Sequence, residues 1–127
     1  MISTNRVQLT GKVLTQPEVG RTQDGFGRPV ARFRLVTQEV WRDREKALRE
    51  RLDIHTIVVL QEALVTLTQQ LIIKGSFIAI EGVLQHRTFE GNDGIIHTNA
   101  EIVLHSRLHR IYVLPDLNVA MLPDPTS

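Results

Sequence analysis

Five histidines are the side chains of this sequence best suited to catalysis or metal binding. His55 stands two positions after Asp53 and could form an acid–base pair with it. However, no serine or cysteine lies in a nucleophile elbow, and no glycine-rich loop leads into a helix. The other four histidines lack the short paired spacing and second ligand type that zinc sites show. They are His86, His97, His105 and His109. The sequence therefore predicts no enzyme, no metal site and no cofactor.

Aromatic and cationic side chains offer a different chemistry. Trp41 is the single tryptophan, and Phe89 follows Arg87 at the spacing of one strand face. Aromatic rings stack on nucleic acid bases and cations contact phosphates, both without reading a base sequence. All fifteen lysines and arginines lie in residues 1–110 with twelve of the fourteen acids, which leaves a net charge of +3 there. A nucleic acid partner requires these cations to gather on one face.

Four segments of alternating polar and apolar residues and one apolar run predict five β-strands. The strands span residues 6–13, 30–40, 54–60, 77–89 and 95–104. Their predicted core residues are Val7, Leu9, Val13, Phe33, Leu35, Ile78, Ile80, Leu84, Ile96, Ala100, Ile102 and Leu104. The third strand is apolar on both faces, which favours a central position. A further extended segment is predicted at residues 108–114, followed by a disordered or loosely packed tail from Pro115.

The segments between the strands predict two hairpins and one helix. Residues 42–51 carry charges of both signs without alternation, so they predict a long, protruding hairpin loop. Residues 90–94 are a turn between the fourth and fifth strands. Four leucines at helical spacing predict a short helix after the third strand, capped by Lys74 and Gly75. They are Leu60, Leu64, Leu67 and Leu71.

Three strands, one helix and two strands, in this order, are typical of the OB-fold, a five-stranded Greek-key barrel. We therefore expect an all-β protein with one short helix and long loops in both hairpins. Residues 1–110 are expected to form this domain, and residues 111–127 a short C-terminal extension without an acidic tip. No signal peptide or long apolar segment is seen, so a cytoplasmic, nucleoid-associated location and no membrane contact are expected.

Several short motifs resemble those of bacterial single-stranded DNA-binding proteins, in the same order and at the same spacing. They are Asn5-Arg6-Val7-x-Leu9-x-Gly11, Pro17-Glu18-Val19, Ala31-x-Phe33-x-Leu35-x-Thr37, Trp41-Arg42-Asp43, His55, Lys74-Gly75-Ser76 and Ile80-Glu81-Gly82. The resemblance covers residues 5–103. It implies a homotetramer of OB-folds, with a dimer as the alternative, that holds single-stranded DNA in replication, recombination or repair. It implies no metal and no cofactor.

The resemblance also implies a set of DNA-binding residues. Trp41 and Phe89 take stacking positions, and Ile54 stands where the family usually has another aromatic. The expected contact residues are Trp41, Phe89, Ile54, Arg6, Lys12, Arg32, Arg34, Arg42, Arg44, Lys74 and Arg87. Trp41 shares alternation with Phe33 and Leu35, which would place it in the core; we expect it on the surface instead.

Two departures from the family pattern keep alternatives open. The aromatic positions at Ile54 and near Leu60 are lost, and the tail lacks the acidic tip through which typical members recruit enzymes. We therefore expect weaker DNA binding and no recruitment by that route. One alternative is a replication-restart accessory resembling the dimeric primosomal protein N. Another is an OB-fold adaptor that binds proteins and has lost nucleic acid binding.

Overall fold

A computed structural model describes residues 1–115 of the chain. Its elements are β1 (Val7–Val13), β2 (Glu18–Arg21), β3 (Pro29–Arg42), β4 (Leu48–Val59), α1 (Glu62–Leu71), β5 (Phe77–Glu90), β6 (Ile96–Leu104) and β7 (Arg110–Val113). The tail predicted from Pro115 falls almost entirely outside the described residues. Within residues 1–115, no helix has the length and apolar content needed to cross a membrane.

The main strands close into a barrel in the order β1-β3-β4-β6-β5, and β5 pairs again with β1. The pairings are antiparallel except for β4 with β6, which run parallel. The predicted OB-fold is therefore confirmed. Two short strands lie outside this cycle: β2 pairs with β3, and β7 pairs with β5. The alternation had no place for β2, whose four residues are all exposed.

The barrel interior is filled by aliphatic side chains and one phenylalanine. Phe33 and Leu35 from β3 meet Ile57 and Val59 from β4 in this core. Other buried members are Val13, Ala31, Val65, Ile72, Ile78, Ile80, Ile102, Leu104 and Ile111. Each such side chain contributes about 1.5–3 kcal/mol by leaving water. This burial fixes the barrel on which the exposed residues stand.

The start of β1 is fastened to β5 by a side chain that imitates a strand partner. The Asn5 amide donates to the Leu84 carbonyl oxygen at 2.7 Å, and its oxygen accepts the Leu84 N–H at 2.8 Å. Gly11 and Gly82 allow close backbone contacts in the same region. A Cβ on Gly82 would lie 2.6 Å from the Val103 carbonyl oxygen, so glycine is required there.

The helix α1 was predicted in the right place, and two of its four predicted leucines, Leu64 and Leu67, are partly buried against the core. Leu60 and Leu71 are exposed, whereas Val65 and Thr68 are buried. Thr68 can be buried because its hydroxyl donates to the Leu64 carbonyl oxygen at 2.8 Å. The leucine spacing thus marked the packed side of the helix but not its full extent, which includes Val65 and Thr68.

The predicted helix cap at Lys74 and Gly75 is also wrong. The helix ends at Leu71, and Ile72 is already extended. Gly75 has a φ of +95° in the turn that leads into β5. Its left-handed conformation therefore serves this turn and not the helix.

The long charged loop predicted at residues 42–51 is instead a two-stranded ribbon. Pairing of β3 with β4 continues to Arg42 and Leu48, so only residues 43–47 form a turn. Asp43 closes it: its carboxylate accepts the N–H groups of Glu45 and Ala47 and the Nε of Arg49, each at 2.9 Å. The hydrogen bond from Arg49, followed by that from Ala47, holds the pKa of Asp43 below its usual value.

The hairpin of β5 and β6 likewise extends beyond the barrel. Ile96 and Ala100, predicted as core, are exposed, and Leu84 is partly exposed. Their alternation is correct, but the interior ends near Ile102. Apolar residues beyond that level meet solvent on both faces of the hairpin.

The loop from β6 to β7 is closed by a histidine. His109 Nδ1 accepts the backbone N–H groups of His105 at 3.0 Å and Ser106 at 3.2 Å. The two imidazole rings meet edge to face at 4.8 Å. Partial burial, and then the neighbouring His105, lower the pKa of His109. The loop therefore depends on a neutral His109.

Candidate nucleic-acid interface

Trp41 lies near the end of the ribbon with 45% of its surface exposed. It shares the inward face of β3 with Phe33 and Leu35, but the ribbon carries it past the end of the core. Its cross-strand neighbour is Arg49. A flat, exposed ring beside a cation is an arrangement that can receive a base by stacking.

The opposite face of the ribbon is aliphatic. Ile54 is 57% exposed and pairs in register with Val36, and Leu52 follows opposite Gln38. Ile54 thus occupies an accessible surface position but offers no ring. It can contact a base by apolar packing alone.

The ribbon turn carries the two predicted cations of this region. The Arg42 guanidinium donates to the Lys46 carbonyl oxygen at 2.9 Å, which ties it to the turn. Arg44 is exposed within the turn itself. Both charges therefore lie at the outer end of the ribbon, with Arg42 on the face opposite to Trp41.

Phe89 is half-buried on the second hairpin and has two partners. The His97 ring stacks on it with centroids 5.5 Å apart and planes 25° apart. The Arg87 guanidinium carbon lies 5.1 Å from the ring centroid. A base that reaches this place meets a composite of ring, imidazole and guanidinium rather than a free phenylalanine.

Arg87 and Arg32 share one carboxylate. Each lies 3.3 Å from Glu101 Oε2, and Glu101 is only 5% exposed. Arg34 stands on the same face of β3 and has no ionic partner among residues 1–115. Arg32 and Arg34 from β3 and Arg87 from β5 therefore come together on the outer face of the barrel.

Arg6 is bound to a carboxylate of β5. Its Nε lies 2.9 Å from Glu81 Oε1, and the Gln8 amide donates to Glu81 Oε2 at 3.0 Å. These bonds, that of Gln8 first, lower the pKa of Glu81. The charge of Arg6 is thus partly compensated before any ligand arrives.

Lys12 and Lys74 line one groove of about 840 Å³ beside the barrel. Apolar side chains form its floor, among them Leu14, Leu52 and Phe77. Neither lysine has an ionic partner among the described residues. The predicted contact residues therefore fall into separate groups: the ribbon end, the arginines around Glu101, this groove and Arg6.

Sequence reasoning missed Glu101, which pairs with Arg32 and Arg87, and His97, which stacks on Phe89. Glu101 carried a signal: it is the one acid in the apolar strand that ends at Leu104. His97 was considered only as a metal ligand. Residues 1–115 contain no cluster of three histidine, aspartate or glutamate side chains that could hold a metal ion.

Comparison with known proteins adds independent information. The family model described as Single-strand binding protein family matches residues 4–110. The chain belongs to this family. It is 43% identical over 103 residues to the single-stranded DNA-binding protein of Rhizobium meliloti (strain 1021), covering 80% of this chain. It spans 58% of that relative's length, that is, less than two thirds.

Two further relatives agree with this membership. The single-stranded DNA-binding protein of Rickettsia typhi is 35% identical over 117 residues, which cover 91% of this chain and 76% of the relative. A structure of a Plasmodium falciparum SSB complex with ssDNA superposes with a TM-score of 0.81 at 31% identity, covering 91% of this chain and 98% of that one. These matches favour the single-strand binding family over the primosomal alternative.

Proposed function

We propose that this chain binds single-stranded DNA independently of base sequence and holds it during replication, recombination or repair. The observation that carries the proposal is the exposed Trp41 ring beside the cations of the ribbon, in a member of the single-strand binding family. Stacking on one ring contributes about 1–3 kcal/mol per base and tolerates every base, because each base has a π-face.

The proposed contact surface combines stacking with phosphate binding. Trp41 and the Phe89–His97 pair receive bases, and Ile54 adds apolar contact. Phosphates are contacted by the cations Arg6, Lys12, Arg32, Arg34, Arg42, Arg44, Lys74 and Arg87. No step of this function makes or breaks a bond, so the proposal is a binding protein and not an enzyme.

We further propose a homotetramer in the cytoplasm, associated with the nucleoid, in which residues 1–110 of each chain carry the DNA contacts and β7 completes the same domain by pairing with β5. The ground for this proposal is the sequence resemblance described above, which implies a homotetramer of OB-folds, together with membership of the single-strand binding family. A tetramer mass in solution agrees with it, and a stable dimer contradicts it.

Tryptophan fluorescence tests the proposed function directly. Titration with oligo(dT) should quench Trp41 strongly, because the chain has a single tryptophan. Oligo(dA) and oligo(dC) should bind comparably, and duplex DNA much more weakly. Absence of binding to every single strand at low salt refutes the proposal and favours the adaptor alternative.

A matched pair of phenylalanine variants tests the second stacking position. Phe89→Ala should weaken oligo(dT) binding by about 1–3 kcal/mol. Phe26→Ala is the control, because Phe26 is 73% exposed beside Arg28 in the turn before β3, outside the proposed surface. Equal affinities of the two variants would remove Phe89 from the contact surface.

A further inference from the structure

Glu101 is a buried carboxylate on the outer face of the barrel, where most neighbours are polar or cationic. It lies on β6 in register with Thr56 of β4 and Gln85 of β5. Arg32 from β3 and Arg87 from β5 approach the same oxygen, Oε2, each at 3.3 Å. One carboxylate therefore links guanidinium groups from two strands that do not pair with each other.

This link fixes the arginines without burying them. A carboxylate taken out of water needs ionic partners, so Glu101 holds both guanidinium groups close to it. Their side chains remain 42% exposed at Arg32 and 49% exposed at Arg87. A guanidinium has five N–H donors, and most of them stay available to a second acceptor.

Arg34 brings a third guanidinium to the same place. Arg34 is the cross-strand partner of Thr56, and Thr56 is the cross-strand partner of Glu101. The three residues therefore lie side by side across β3, β4 and β6. A shallow depression joins this row to Arg32 and Arg87. Its remaining polar lining is Thr15, Gln16, Glu18, Thr56 and Asn99. Three guanidinium groups thus face two carboxylates, which leaves a net charge of +1.

We propose that Glu101 is a positioning residue that holds Arg32 and Arg87 beside Arg34 to form a seat for one backbone phosphate of the bound strand. We call these four residues the arginine seat. Forked guanidinium groups suit phosphate oxygens, since they donate two parallel hydrogen bonds. The Arg87 guanidinium carbon also lies 5.1 Å from the Phe89 ring centroid, so the seat adjoins a stacking position. This inference rests on the proposed function.

Neutralising Glu101 distinguishes a positioning role from simple charge compensation, because the two roles predict opposite changes in the affinity for oligo(dT). Glu101→Gln makes the seat more positive by one charge. If Glu101 only compensates charge, oligo(dT) should bind more tightly. If it positions the arginines, binding should weaken about tenfold and the salt dependence should lose the equivalent of one phosphate, about 0.7 in the slope of log K against log salt.

Glu18→Gln is the matched control. Glu18 lines the same depression and faces Arg32 in the strand register, but the described residues show no ion pair to it. Its substitution makes the same charge change without releasing an arginine. Its affinity for oligo(dT) should equal or exceed that of the wild type.

Arg34→Gln tests the phosphate contact at the seat without touching the buried carboxylate, so the seat can still be refuted if Glu101→Gln does not fold. It should also weaken binding about tenfold and reduce the slope by about 0.7. Circular dichroism melting identifies a misfolded variant. Wild-type-like or tighter binding by folded Glu101→Gln, or by Arg34→Gln, overturns the seat while the proposed function stands. Failure of the wild type itself to bind oligo(dT) overturns both.

Discussion

Three of the eight cations assigned to phosphate contact are already paired with carboxylates of the same chain. Arg6 pairs with Glu81, and Arg32 and Arg87 share Glu101. The other five have no ionic partner within residues 1–115: Lys12, Arg34, Arg42, Arg44 and Lys74. The salt dependence of DNA binding should report how many of the eight contact phosphates, since each contact releases counterions.

The expected slope follows from this count. Each phosphate contact on a single strand contributes about −0.7 to the slope of log K against log salt. Five contacts per protomer give about −3.5, and eight give about −5.6. Between about 50 and 200 mM salt, the affinity should therefore fall by a factor of about 10² for five contacts and about 2 × 10³ for eight.

Anisotropy of a labelled oligo(dT) across this salt range measures the slope, and two variants calibrate it. Arg34→Gln should make the slope shallower by about 0.7. Arg107→Gln should leave it unchanged, because Arg107 lies in the loop before β7, outside the proposed surface. A wild-type slope shallower than about −1 would refute the assignment of these cations, since stacking would then carry the binding alone.

Three further substitutions test the described structure. Gly82→Ala should lower the free energy of unfolding by about 2–3 kcal/mol in urea denaturation, since its methyl group would lie 2.6 Å from the Val103 carbonyl oxygen. The pKa of His109 is lower in the folded protein, so the unfolded chain takes up a proton first as the pH falls, and the free energy of unfolding decreases. His109→Asn should therefore lose less stability than the wild type between pH 7 and about 5. Lys46→Asn should raise the melting temperature slightly, because Lys46 has a φ of +63°, which asparagine tolerates better.

Each of these expectations has a control. Gly20→Ala should be nearly neutral, because a methyl group there meets nothing within 4 Å; a similar cost at both glycines would contradict the close contact at Gly82. An unchanged pH dependence in His109→Asn would mean that the loop does not depend on a neutral ring. For Lys46, destabilisation by asparagine would show that its side chain matters more than its backbone conformation.

The barrel could be predicted from sequence because most of its strands bury one face and expose the other. Phe33 and Leu35 alternate with Arg32 and Arg34, and the core forms on the apolar face. The ribbon could not be predicted in this way. From Glu39 to Arg51 both faces of the ribbon meet solvent, so burial imposes no alternation of polar and apolar residues. The sequence of such a strand cannot be distinguished from that of a loop.

The residues of the candidate site could be proposed from the sequence, but their positions relative to one another could not. The exposure of Trp41 depends on how far β3 extends beyond the core, which the alternation of β3 does not encode. The joining of Arg32 to Arg87 depends on the parallel pairing of β4 with β6, since that pairing places Glu101 between them. Long-range register of this kind is absent from local patterns, although the lone acid in an apolar strand marked the position.

The fastening of Asn5 to Leu84 has a consequence for how the chain reaches its native state. The two residues are 79 positions apart, and β1 finds most of its partners on β5. Contacts over such separations form slowly, because closing a long loop costs conformational entropy before the contact can stabilise the chain. Although β1 precedes β5 in the chain, it is therefore among the last strands of this domain to be secured, because before β5 folds only Lys12 and Val13 have partners, on β3. Folding of this domain should begin in the hairpin of β3 and β4 and finish at its own N-terminus.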